Sequence, residues 1–137
     1  MANTTTTGNV TCKKIFLAAL ALLGEPDGSC PDDLGEHATY HLAAFCTENA
    51  ALDRLYREHR GLPEAGGFDK VAIGLDEPFP LSERFVPAAA TYLAAMLVLD
   101  ENEELSDKLY GRYCDMMASL CTAIPGASQA ITDIYGF

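Results

Sequence analysis

His37 and His41 lie four residues apart, a spacing that puts two imidazoles on one side of a helix, where they could share a zinc ion with Cys46 or Cys30 as further ligands. A closed zinc site needs four ligands, and no glutamate follows the first histidine as the H-E-x-x-H pattern requires. The plainer reading is a pair of partly exposed histidines beside an apolar stripe, and no metal or cofactor is expected. The five cysteines (Cys12, Cys30, Cys46, Cys114 and Cys121) are odd in number and contain no C-x-x-C. They read as small apolar residues in a reducing compartment, with Cys114 and Cys121, seven apart on one helix, expected to pack in the core. The acids at Asp76, Glu77, Asp100, Glu101, Glu103 and Glu104 lack the spacing of a calcium loop and are assigned to caps and turns. Gly24, Gly66, Gly67 and Gly74 form no phosphate cradle, and Tyr110 with Tyr113 reads as core and rim. No catalytic constellation emerges, so a non-enzymatic protein is expected.

The charge balance narrows the partners. Twenty acids stand against nine bases in 137 residues, a formal net charge of −11, and no cluster of Lys or Arg interrupts it. Sequence-specific nucleic-acid binding is not expected, because phosphate binding draws on released counterions and needs basic side chains. The length suits one domain, which buries about two-thirds of its unfolded surface.

Lys13 to Glu25, "KKIFLAALALLGE", tests whether the chain carries an export signal. A signal needs a small-x-small site just after the apolar run, and "GEPDGSCPDD" supplies acids and turn residues instead. The run is also shorter than the roughly 18 apolar residues of a membrane span. The stretch reads as a buried helix closed by Gly24 and Pro26, the innermost short helix of the bundle, with its lysines in water. A host-cytoplasmic or virion location and no membrane association are expected.

Periodicity divides the chain into a disordered leader (1–10), a single helical domain (11–124) and an extended C-terminal tail (125–137). The fold class is all-α: a compact bundle of about four helices with a long irregular loop, 62–81, between the second and third. Leu34, Ala38, Leu42, Phe45, Asn49, Leu52 and Tyr56 recur at spacings of three and four and mark one face of the second helix, whose last turn places Arg57, His59 and Arg60 at the negative end of the dipole. Within the loop, "KVAI" (70–73) is the one candidate for a short strand. The third helix lies in "LSERFVPAAATYLAAMLVLD", with Ser82 as a cap and Pro87 near its start; apolar on all sides, it should be central. The fourth follows at once, with Asp100 and Glu103 set for a capping box and Leu105, Leu109, Tyr113, Met116 and Leu120 as its buried stripe. Apolar Ile131, Ile134, Tyr135 and Phe137 in the tail suggest docking, on the chain's own core or on a partner.

Several of these segments together resemble a known family. "LDEPFPLSERFVPAAATYLAAMLVLDENEELSDKLYGRYCDMM", with Pro80 and Leu81, "TYLAAMLVLDEN" (91–102) and Tyr110 with Tyr113, is similar to the C-terminal half of the small helical head-tail connector proteins (adaptors, or head completion proteins) of tailed phages and prophages. "IFLAALALLGE" (15–25) resembles the family's first helix and "ITDIYGF" (131–137) its terminal motif; residues 26–80 match in helix length and little else. The resemblance implies a structural protein that assembles as a ring homo-oligomer beneath a portal protein, extends the DNA channel and meets tail or stopper components. It makes Ile131, Asp133, Ile134 and Tyr135 the expected interface residues. The alternative expectation is a small acidic helical protein-protein interaction module or regulator without catalysis.

Overall fold

Thirteen residues with almost no polar side chain, "VPAAATYLAAMLV", form the helix around which the others are arranged. In the computed structural model, which describes residues 10–24 and 32–126, the helices are α1 (Cys12–Leu22), α2 (Asp32–Arg60), α3 (Val86–Val98, entered through a 3-10 turn at Glu83–Phe85) and α4 (Glu103–Ala123). The all-α bundle expected from periodicity is the architecture found. α3 packs against α4, α1 and α2, and Ala88 to Ala95 is buried without a break. Small alanine side chains let three neighbours approach one helix, and Pro87 sits in its first turn, where no intrahelical donor is lost. Buried Thr91 is satisfied locally: its Oγ1 donates to the Pro87 carbonyl at 2.9 Å.

α1 is one-sided, which corrects the expectation that it is innermost. It buries Cys12, Ile15, Phe16, Ala19 and Leu20, while Ala18, Ala21 and Leu22 face solvent. An unbroken apolar run hides this asymmetry, because alanine and leucine are tolerated at a surface. Lys13 and Lys14 are exposed, as expected. The helix starts on borrowed acceptors: Thr11 Oγ1 accepts from Lys14 N, and the amides of Cys12 and Lys13 donate to the carbonyls of Glu77 (2.9 Å) and Leu75 (2.7 Å) in the loop. Gly24, at φ +77°, closes the helix in the left-handed conformation that glycine favours.

α2 carries the stripe that the periodicity marks, with Ala38, Leu42, Phe45, Asn49 and Leu52 buried and Leu34 and Tyr56 half-buried. Asn49 is accommodated because its Nδ2 donates to the Phe45 carbonyl at 2.9 Å. At the other end Leu62 N donates to Arg57 O and Gly61 N to Glu58 O, with Gly61 at φ +68°, a Schellman closure.

The loop 62–81 is irregular throughout. Lys70–Ile73 is not a strand: Val71 is 78% exposed, while Ile73 is buried and donates its amide to the Thr39 carbonyl on α2. A single apolar anchor dropped onto a helix leaves no partner for a ladder, and the one bridge among the described residues joins Thr11 to Pro78. Phe79 and Leu81 are the other buried residues of this loop.

The corner between α3 and α4 is tight, and its cap differs from the capping box expected at Asp100 and Glu103. Leu99 continues the helical conformation, and the amides of Glu101 and Asn102 still donate to Val98 O. Asn102 has left it, at φ −151° and ψ 86°, and its side chain accepts from Leu105 N at 3.0 Å. Ser106 Oγ then donates to the Ala95 carbonyl at 2.8 Å, locking α4 onto α3. Replacing Asn102 with alanine should therefore cost about 1 kcal/mol in urea denaturation, whereas Asp100→Ala should leave the midpoint nearly unchanged.

Candidate functional site

Asp53 and Arg57 stand one turn apart on α2 and are both buried. Arg57 Nε donates to Asp53 Oδ2 at 2.8 Å, and its two terminal nitrogens donate to the carbonyls of Pro63 (3.0 Å) and Pro80 (3.4 Å). Asp53 Oδ1 accepts the backbone amide of Ser82 at 2.9 Å. The pair thus clamps both ends of the long loop to one turn of α2, with charge-assisted bonds compensating much of the desolvation that two buried ions suffer. The Ser82 hydroxyl stays buried without a partner among the described residues, so the N-cap role expected of this side chain is not played; its backbone amide serves the clamp instead.

Above the clamp an open cleft of about 440 Å³ runs between Thr47, Ala50 and Ala51 of α2 and the loop at Ala65 to Phe68. That volume lies within the range of small-molecule sites. The Arg57 guanidinium is taken up by the clamp, which leaves Arg54 and Glu64, of opposite sign, and the Thr47 hydroxyl as polar groups for a ligand. Such a lining suits recognition of a surface segment carrying both charges.

The histidines face outward from α2, His37 exposed and His41 half-buried. Burial lowers the pKa of His41, and the neighbouring His37 adds to the effect. Cys46 is fully buried, its thiol pushed far up by burial first and then by Cys12 and Asp53. Cys30 lies outside the described residues. Among those described, no three His, Cys, Asp or Glu side chains gather into a metal-sized group.

The remaining cysteines divide by depth. Cys12 is buried, its thiol pushed up to about 11 by burial and by the charge of Glu77. Cys114 is exposed, which corrects its assignment to the core, while Cys121 is half-buried and packs against the core from its edge. Each follows a stripe residue, Tyr113 or Leu120, and one residue is a rotation of about 100° around a helix. α4 is covered on one side by α3, so a position beside its stripe falls on the rim.

Tyr110 and Tyr113 do divide into rim and core. Tyr113 packs among Phe45 (6.1 Å between ring centroids), Tyr92 (5.2 Å) and Tyr110 (5.4 Å), and Tyr110 remains 44% exposed. Burial is the main cause that raises the phenols of Tyr92 and Tyr113; Glu48 contributes to both, while a side-chain hydrogen bond with Asn49 opposes the rise at Tyr113. Their role is aromatic packing.

The expected interface residues Ile131, Asp133, Ile134 and Tyr135 lie outside the described residues. The feature that sequence reasoning missed is the clamp: Asp53 and Arg57 form an i, i+4 acid-base pair, a detectable signal, but one that ordinarily marks a solvent-exposed helix face. No helix among the described residues is long and apolar enough to cross a membrane. Comparison with protein-family models, with curated proteins and with solved structures found no match.

Two outcomes follow from the buried groups. Asp53→Ala strands the Arg57 charge and the Ser82 amide, and should lower the unfolding free energy by about 3–5 kcal/mol, read as a lower urea midpoint; Asp53→Asn, which keeps an acceptor, should lose less. In a Cys30→Ser background, a thiol reagent at pH 8 should modify Cys114 first and Cys121 more slowly, and reach Cys12 and Cys46 only on unfolding.

Proposed function

We propose that this chain is a structural assembly protein of the kind it resembles, a head-tail connector that joins other copies of itself in a ring beneath a portal and extends the DNA channel toward stopper or tail components. The observation that supports this is the place of the resembling segment in the fold. Thr91–Asn102, "TYLAAMLVLDEN", forms most of the enclosed helix α3 and the corner that starts α4, so the shared pattern falls on residues that set the architecture. Charge is compatible with the role. The corner exposes Asp100, Glu101, Glu103 and Glu104, and an acidic conduit repels DNA phosphates instead of retaining them.

The second reading is an acidic helical interaction module or regulator without catalysis, and the cleft above the Asp53–Arg57 clamp is the feature that favours it. The two differ in assembly. Native mass spectrometry of protein purified without chelators should find a metal-free cyclic ring of identical chains, alone or on addition of a portal ring. A fixed small stoichiometry with no affinity for a portal would favour the module, and a monomer carrying zinc would overturn both readings.

A further inference from the structure

The chain from Ile73 to Ser82 is tied to other elements along its whole length. Ile73 N donates to the Thr39 carbonyl of α2, and Leu75 Cδ1 packs over Gly35 of the same helix, 3.6 Å from where a Cβ would stand. The next residues cross the start of α1. Leu75 and Glu77 accept the Lys13 and Cys12 amides, Pro78 bridges to Thr11, and Phe79 N donates to Val10 O. The last residues return to α2, where Pro80 O accepts from Arg57 and Ser82 N donates to Asp53 Oδ1. The segment is a strap, laid along α2 from Thr39 to Asp53 with the first turn of α1 held against it.

Thr39 and Asp53 are fourteen residues apart on one helix, roughly 21 Å along its axis. The nine steps from Ile73 to Ser82 extend to about 30 Å at most, and the turn that Glu77 N closes on Gly74 O takes up part of that reach. The strap therefore has little slack, so an anchor lost at one end misplaces the others. It brings three buried apolar side chains to the core, Ile73, Phe79 and Leu81, whereas α3 is buried without a break from Ala88 to Ala95. A segment with few buried contacts opens at a lower free energy than the core it lies on.

We propose that the strap and the first turn of α1 open and close as one unit, below the free energy at which the bundle unfolds, with the Asp53–Arg57 clamp as its latch. Opening takes the acceptors from the Cys12 and Lys13 amides. It also removes one wall of the cleft above the clamp, because Pro80 and Leu81 line that cleft. The cleft and the capped start of α1 accordingly belong to the same closed state, and a change at Asp53 is felt at Cys12, on another helix. None of this depends on the connector reading.

Native-state hydrogen exchange of the full chain in low urea tests the coupling. The amides of Cys12, Lys13, Ile73, Phe79 and Ser82 each have their acceptor on another element, and first-turn amides have none within their own helix. Corrected for intrinsic rates, the five should share one opening free energy and one urea dependence, both smaller than those of Leu93 and Ala94 in α3. Asp53→Asn should speed all five by a common factor, at least several-fold. Ile73→Val, at the opposite end, should speed Ser82 as much as Cys12, and it decides the matter if Asp53→Asn fails to fold. A variant that speeds only the amides beside it shows anchors that open one by one, and overturns the proposal. Exchange of the five at the free energy and urea dependence of α3 would overturn it as well, by showing that the strap opens only when the whole bundle does.

Discussion

A helix with no polar face must be surrounded, and that constraint organises this molecule. α3 presents alanine, leucine, valine and tyrosine around its whole circumference, so three other helices are required to keep it from water. Its alanines set how close those helices come, and its two ends set where they enter. At one end the 3-10 turn and Pro87 bring the chain in from the loop; at the other, four residues reverse it into α4. The hydrogen bond from Ser106 to Ala95 shows how near the backbones of α3 and α4 lie, since a serine side chain spans the gap.

Packing alone does not fix the loop 62–81, which offers few apolar anchors. It is held at separated points by polar bonds to helices that are already in place. Ile73 reaches the Thr39 carbonyl, Leu75 and Glu77 lend their carbonyls to the first amides of α1, and Phe79 N donates to Val10 O. Glu77 also braces the turn it belongs to, accepting the Gly74 amide at 2.8 Å and pairing with Lys70 at 3.3 Å. The first contact stiffens the turn where it caps α1, whereas the second is an exposed pair of the kind that contributes little. The Asp53–Arg57 clamp secures the loop at both ends. Loop and helix are therefore interdependent: α1 lacks part of its N-terminal hydrogen bonding without the loop, and the loop lacks its anchors without α2.

The same organisation bears on function. The groups with the most perturbed acid-base behaviour are Cys12 and Cys46, inside the packed core, and Tyr113, half-buried against it, and burial is the first cause in each. Depth holds them in their neutral forms and makes them packing elements. Surface features are of another kind: an acidic corner and a cleft of mixed charge.

The sequence by itself determined the number of helices among the described residues, their limits to within a few residues, the central place of α3, the buried stripe of α2, and the face of α4 on which Leu109 and Leu120 are buried and Leu105, Tyr113 and Met116 half-buried. Those properties follow from periodicity, which is local and survives in a single chain. It did not decide which side of α1 is covered, because alanine and leucine look alike whether buried or exposed. Nor did it reveal that Asn102 caps α4, since one more or one fewer residue of helix at Leu99 moves the cap. The positions of Cys114 and Cys121 on the rim, and of Asp53 and Arg57 in the interior, were decided by where neighbouring elements end. An i, i+4 ion pair reads the same on an exposed helix face as it does under a loop, and only the tertiary structure placed Pro63, Pro80 and Ser82 over it. The physical reason is that burial belongs to pairs of elements distant in sequence, whereas periodicity and capping are written within each one.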